Sequence, residues 1–397
     1  MPETALGDLV VLDLSQLIAG PYCTRLVAGM GAEVIKVEKP GVGDLARRMG
    51  PFPGDIPHAE RSGLFLYLNA GKKSVTLNLK TKAGTDILRK LLGDADVLVE
   101  SFAPRVMPSL GLDYNALARI NPGLVMVSIS NFGRTGPYRD FKAADIVEYA
   151  LGGLMYITGE AEREPLKNGG NLAQYGAGQN AFVAALSALH YREETGLGQH
   201  VDVSIMECIT SILEMADIMW AYQQEVYPRT GDGLRGAWGT YPCRDGFVGV
   251  ISGPPRRWAA VSKLMDNPAL ADPRFSDSSG ITAHRDEVDA LMLPWLVQHD
   301  KEEVYHAAQK MGLPFGYVAT TEDLLESAQF RERAFFTEVD HPEAGNLDYP
   351  TGPARMSETP WRTGRAPLLG EHNEEVYCGR LGYSRQDLVR LRQTGVI

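Results

Sequence analysis

An α/β fold with a doubly wound parallel sheet in its first half is what this sequence predicts, and three observations carry that reading. Continuous β-branched runs recur through the first 205 residues, amphipathic helical stretches separate them, and a 397-residue chain that is 44% apolar can bury a large core. In order, the runs are LVVLDL (9–14), a helix over Ala19–Met30, AEVIKVE (32–38) and SVTLNL (74–79). A helix over Lys82–Leu92, then VLVES (97–101) and LVMVSIS (124–130), complete the first series. An apolar helix over Gln179–Tyr191 ends at the Gly196–Gly198 region, VDVSI (201–205) follows, and another apolar helix runs through Trp220. These assign residues 1–226 to a large domain.

Beyond Tyr227 the texture changes to short hairpin-like strands around Gly239–Ile251 and helices carrying Trp258, Leu264, Leu291, Trp295 and His306. A smaller α+β domain is therefore expected at 227–325. Residues 326–397 form a C-terminal segment, and its Pro/Gly-rich stretch over 342–376 reads as extended chain that wraps over another domain or subunit.

Composition removes several function classes. A formal charge of −11 argues against nucleic acid as a partner, because phosphate binding needs uncompensated Lys and Arg. No stretch reaches the roughly 18 apolar residues that span a bilayer, and the N-terminus lacks the basic start of a signal peptide, so a cytoplasmic location is expected. Cys23, Cys208, Cys243 and Cys378 form no CxxC pair, and no GxSxG elbow or HExxH motif is present. No metal site, disulfide framework or hydrolase triad is expected.

Two local features invite a ligand. The turn Leu17-Ile18-Ala19-Gly20-Pro21 follows a strand and opens a helix, where backbone N–H groups approach an anion or thioester; a tight structural turn explains it equally well. Lys36, Lys39, Arg47, Arg48, Lys72, Lys73 and Lys142 are the cations that could converge on a phosphate-rich ligand, or simply form a solvated face.

Several stretches together resemble the class III CoA-transferases, the CaiB/BaiF family that includes formyl-CoA transferase. They are VLDLSQLIAGPYCTRLVAGMGAEVIKVEKPGVGDLARRMGP (11–51), FLYLNAGKKSVTLNLKT (65–81), DVLVESFAPRVMPSLGLDY (96–114), SISNFGRTGPY (128–138), HYREETGLGQHVDVS (190–204), ADPRF (271–275) and APLLGEHNEEV (366–376). The resemblance implies a Rossmann-like large domain completed by the C-terminal tail, a smaller domain between, and an interlocked dimer. It also implies CoA transfer from an acyl-CoA to a carboxylic acid through enzyme-bound anhydride and thioester intermediates, with the CoA thioester as substrate and no further cofactor. Carried over by position, Leu17 and Ile18 would line the thioester end, Lys39 and Lys72 would meet the nucleotide, Phe102 would pack near the CoA, and Lys142 would bind its pantetheine or phosphate portion.

The pattern breaks at the nucleophile. The family's catalytic aspartate lies eighteen residues before the Arg of the Tyr-Arg-Glu-x-Thr-Gly motif; counting back from Arg192 lands on Gln174, with Gly178 and Ala181 keeping the register. An amide is neutral and cannot form the anhydride. Ser109 stands where the family often has an Arg, with Arg105 one turn away, and Ala144 replaces the His of the racemase branch, which disfavours racemisation. The chain thus resembles the aspartate-lacking subunit of heteromeric members such as succinyl-CoA:benzylsuccinate CoA-transferase. The alternatives are a homodimeric acyl-CoA enzyme with aspartate-independent chemistry and a non-catalytic acyl-CoA binding protein.

Overall fold

The computed structural model describes residues 4–231, 236–252 and 255–397. The chain divides into two compact units. The larger takes Met1–Leu154, Asn168–Glu214 and Arg331–Ile397; the smaller takes Met155–Lys167 and Met215–Phe330.

The larger unit is built on a six-stranded sheet: β1 (Val10–Asp13), β2 (Glu33–Glu38), β3 (Lys73–Thr76), β4 (Val97–Glu100), β5 (Val125–Ser130) and β6 (His200–Ser204), in the order β3-β2-β1-β4-β5-β6. Every pairing is parallel. Strands covered on both faces have no polar side to alternate with, which is why β4 and β5 are buried along their full length. Leu12, Leu98 and Met126 share one row across three strands, and that row packs against Ile87, Leu88 and Leu91 of the helix Lys82–Leu92. Strand order reverses between β1 and β4, and a crevice opens beyond the carboxyl ends at such a switch point.

The long helix Leu172–Thr195 packs against β5, β6 and the helix Ala19–Gly29. It begins seven residues before the sequence-based start because its buried stripe is Ala173, Ala177, Ala181, Ala185 and Ala188, residues too small to register as amphipathic. The stripe permits close approach: a Cβ on Gly178 would sit 2.6 Å from the Ala19 carbonyl. Gly196, at φ +74°, takes the left-handed conformation that ends the helix.

Residues 331–397 return to this unit. The tail contains an antiparallel hairpin, β10 (Phe336–His341) and β11 (Gly345–Pro350), where extended chain is expected from composition; Gly345 at φ +75° supplies the turn. Further on it covers the outer edge of β3. His372 N–H donates to the Ser74 carbonyl at 2.9 Å, the Thr76 N–H donates to Asn373 Oδ1 at 2.8 Å, and Tyr377 Oη donates to the Thr76 carbonyl at 2.8 Å. An exposed edge strand is thereby occupied by its own chain.

The smaller unit has a three-stranded antiparallel sheet of β7 (Trp238–Cys243), β8 (Gly246–Ile251) and β9 (Gly316–Tyr317). Its core joins Val248 and Val250 to Trp258, Phe275, Met292, Leu296 and Val304, with Trp258 Nε1 donating to the Leu270 carbonyl at 2.6 Å. No helix among the described residues is long and apolar enough to cross a membrane.

Candidate active site

A cavity of about 460 Å³ opens at the carboxyl ends of β1, β2 and β3. Ser15 and Gln16 enter it from the β1 turn, Lys36, Glu38 and Lys39 from β2 and its exit, Asn78 and Lys80 from beyond β3, and Phe102 and Ser109 from beyond β4. The turn that follows Gln16 is held in an uncommon shape: Leu17 sits at φ +65°, and its N–H donates to Asp44 Oδ1 at 3.0 Å. Asp44 is fixed by Lys36, whose Nζ lies 2.8 Å from Asp44 Oδ2 and donates to the Ser15 carbonyl at 2.9 Å. Ile18, buried, begins the following helix.

A second cavity of about 340 Å³ lies beyond β4 and β5, where Arg105, Arg139 and Lys142 face Ser130 and Asn131. Phe102 lines both cavities. The structure therefore brings Lys39 and Phe102 to one cavity and Phe102 and Lys142 to the next, with Leu17 and Ile18 at the turn beside the first. Lys39 and Lys142 are exposed at the rims. Arg105 stands in the second cavity while Ser109 lines the first, so the two do not occupy one place.

Lys72 is not brought to either cavity. It is 3% exposed, and its Nζ meets Asp13 Oδ2 at 2.9 Å, Thr24 Oγ1 at 2.7 Å, Asn69 Oδ1 at 2.9 Å and the Pro21 carbonyl at 2.9 Å. An ammonium has three hydrogens, and this one is committed beneath the turn. Burial pulls its pKa to about 8 against the attraction of Asp13. Burial also pushes on the Asp13 carboxyl, but Lys36, Lys72 and the hydroxyls of Ser15 and Thr24 hold it well below the usual carboxylate range.

Gln174 lies in the first turn of the long helix, one turn before the Gly178 contact with Ala19. Its backbone N–H donates to Asp145 Oδ1 at 3.3 Å, and its Nε2 donates to Glu148 Oε2 at 2.7 Å. Both acids belong to the short helix Asp145–Leu151. With its amide turned to satisfy both ends, Asn131 donates to Glu148 Oε1 at 2.9 Å and accepts from the Ala143 N–H at 3.1 Å. Glu148 is 0% exposed, and its carboxyl is pushed up to about 7 by burial and by neighbouring Asp145, against the opposing Gln174 hydrogen bond. Among the described residues no cation pairs with it.

Glu148, Asp145 and Asn131 were not singled out by the sequence. Asp145 and Glu148 are spaced i, i+3, which puts them on one helix face, but only tertiary packing shows that this face meets Gln174. Of the other cavity residues, Lys36 is among the candidate cations of the sequence, whereas Asn78 and Lys80 are absent from it. Among the described residues no group of His, Cys, Asp or Glu could hold a metal ion.

The family model of CoA-transferase family III matches residues 6–373. The succinyl-CoA–D-citramalate CoA-transferase of Chloroflexus aurantiacus is 33% identical, with 100% of this chain and 99% of that protein aligned. The formyl-CoA:oxalate CoA-transferase of Streptomyces avermitilis is 34% identical, over 99% of this chain and 99% of that protein. In structure, a CaiB/BaiF family protein from Brucella suis superposes with a TM-score of 0.87 at 31% identity, covering 95% of this chain and 99% of that one. The chain belongs to CoA-transferase family III.

Proposed function

We propose that this chain moves CoA from an acyl-CoA, with succinyl-CoA as donor, to a carboxylic acid, and that Gln174 stands at the nucleophile's position without acting as one. The observation that carries this is the Gln174 amide: its nitrogen is spent on Glu148 at 2.7 Å, and an amide has no carboxylate to form an anhydride. The cavity of about 460 Å³ with Lys39 at its rim and Phe102 in its wall takes the CoA, and Lys142 meets the ligand from the adjoining cavity. Succinyl-CoA is suggested by the name of the Chloroflexus relative. In this reading the chain is one half of an interlocked dimer whose homologous, aspartate-bearing subunit supplies the nucleophile, and it works in the cytoplasm, where CoA thioesters are made. Purifying the native complex and assaying transfer from succinyl-CoA tests it. A stoichiometric homologous subunit, with activity only when both are present, is the expected result; an active homodimer sinks the partner.

A second reading, a homodimer that uses this chain's own carboxylate, is favoured by one specific observation. The oxygen of a buried glutamate, with no cation paired to it among the described residues, lies within hydrogen-bond distance of the tip of Gln174.

A further inference from the structure

Buried carboxylates elsewhere in the larger unit are matched by cations. Glu38 is gripped by Arg47 through Nε at 2.7 Å and Nη2 at 2.8 Å, Glu100 meets Arg134 Nη1 at 2.9 Å, and Asp13 meets Lys72. Glu148 alone of these four has only two neutral amides, those of Asn131 and Gln174. A carboxylate kept from water without a counter-charge weakens a fold, so its presence beside a reaction centre points to chemistry.

The cover over it is also particular. Gln174 is partly exposed where Glu148 is fully buried, and its Nε2 donates to Glu148 Oε2 at 2.7 Å. Rotation about the Gln174 side-chain bonds vacates the space that Nε2 fills and presents Glu148 Oε2 there. The helix carrying Gln174 stays where it is, because Gly178 and the alanine stripe lock it against the Ala19–Gly29 helix.

We propose that Glu148 is the carboxylate nucleophile of CoA transfer in this chain, uncovered when Gln174 swings aside. The proposal rests on the reading of the chain as a CoA-transferase but not on a partner subunit. In the first step a Glu148 oxygen attacks the thioester carbonyl carbon and the CoA thiolate leaves, giving a mixed anhydride. The thiolate then attacks the Glu148 side-chain carbonyl, releasing the donor acid as its carboxylate and leaving a glutamyl-CoA thioester. The acceptor carboxylate attacks that thioester, forming a new anhydride and freeing the thiolate. The thiolate takes the acceptor acyl carbon, and the Glu148 carboxylate is restored. No oxidant, reductant or net proton is needed. The raised carboxyl supports the role: it is a stronger base than an exposed acid and ionises near neutrality, with Asp145 as its charged neighbour.

The test uses the full chain as purified, incubated with succinyl-CoA and, separately, formyl-CoA, then quenched with hydroxylamine, which converts a glutamyl thioester or anhydride to the hydroxamate. Peptide mass spectrometry reads the site, and incorporation of radiolabelled succinate into succinyl-CoA reads the half-reaction independently. The proposal expects a donor-dependent hydroxamate on Glu148 that rises with pH through about 7, is lost in Glu148→Gln and forms faster in Gln174→Ala, which removes the cover. Succinate exchange without modification of Glu148 overturns the proposal and leaves CoA transfer standing. Neither exchange nor modification in the isolated chain, with activity restored by an aspartate-bearing homologue, overturns it in favour of the partner reading.

Discussion

Asp13 and Glu148 are both fully buried carboxylates in the larger unit, and they behave in opposite ways. Asp13 sits under the β1 turn between Lys72 at 2.9 Å and Lys36 at 3.7 Å, with hydroxyl donors from Ser15 and Thr24, and its proton is held off far below the usual range. Glu148 has two amides and a like-charged neighbour, and its carboxyl is pushed up to about 7. Burial is common to both; the difference is counter-charge. The compensated group ties down the backbone that lines the cavity, whereas the uncompensated group retains a reactive proton equilibrium.

Exchanging each acid for its amide separates the two roles. Glu148→Gln keeps the shape and both amide neighbours, so the protein stays folded; with Glu148 as the proposed nucleophile, any transfer the chain carries out without an aspartate-bearing partner falls by about a thousandfold or more, the scale on which loss of a nucleophile is felt. Steady-state rates alongside circular dichroism check it, and an unchanged rate breaks the contrast. Asp13→Asn does the reverse: two buried ammonium groups lose their shared partner, and stability drops by about 3–5 kcal/mol, read from urea unfolding.

The pH dependence sharpens the same contrast. The Glu148 carboxyl titrates higher in the folded chain, at about 7, than its ordinary 4.5, so its share of stability is complete below about 4.5 and is lost as pH rises through about 7. Denaturant midpoints of Glu148→Gln and the parent are therefore expected to diverge between pH 5 and pH 8 in favour of the variant, by on the order of 2 kcal/mol. Asp13 has the opposite sign: its contribution is intact at neutral pH and fades only in acid. The smallest effect is expected at the cavity rim: with Lys39 proposed to meet the CoA nucleotide, Lys39→Ala raises KM for the CoA thioester roughly tenfold, more at low salt than at high, with kcat little changed.

The sheet was legible because strands buried on both faces spell themselves out as apolar runs, and all six lie within the predicted ones or shifted by a residue. The early start of the long helix was not, since alanine and glycine give no periodic contrast, and neither was the β10–β11 hairpin, whose turn depends on one glycine at positive φ. For the site, the family resemblance pointed to Lys39, Phe102 and Lys142, and the register of its motifs to Gln174. It could not reveal that the Lys72 ammonium points inward to Asp13, or that Glu148 lies against Gln174. Both facts are contacts between segments 26 or more residues apart, set by how helices are laid on the sheet.

The occupied edge of β3 bears on how this protein is made. Ser74 and Thr76 find outer partners in Gly370, His372, Asn373 and Tyr377, which a ribosome delivers after the whole smaller unit has emerged. For that interval the nascent sheet carries a bare strand ready to pair with a neighbouring chain on the same message. Slow synthesis of the segment between, or a truncation before residue 372, turns an internal fastening into an aggregation site.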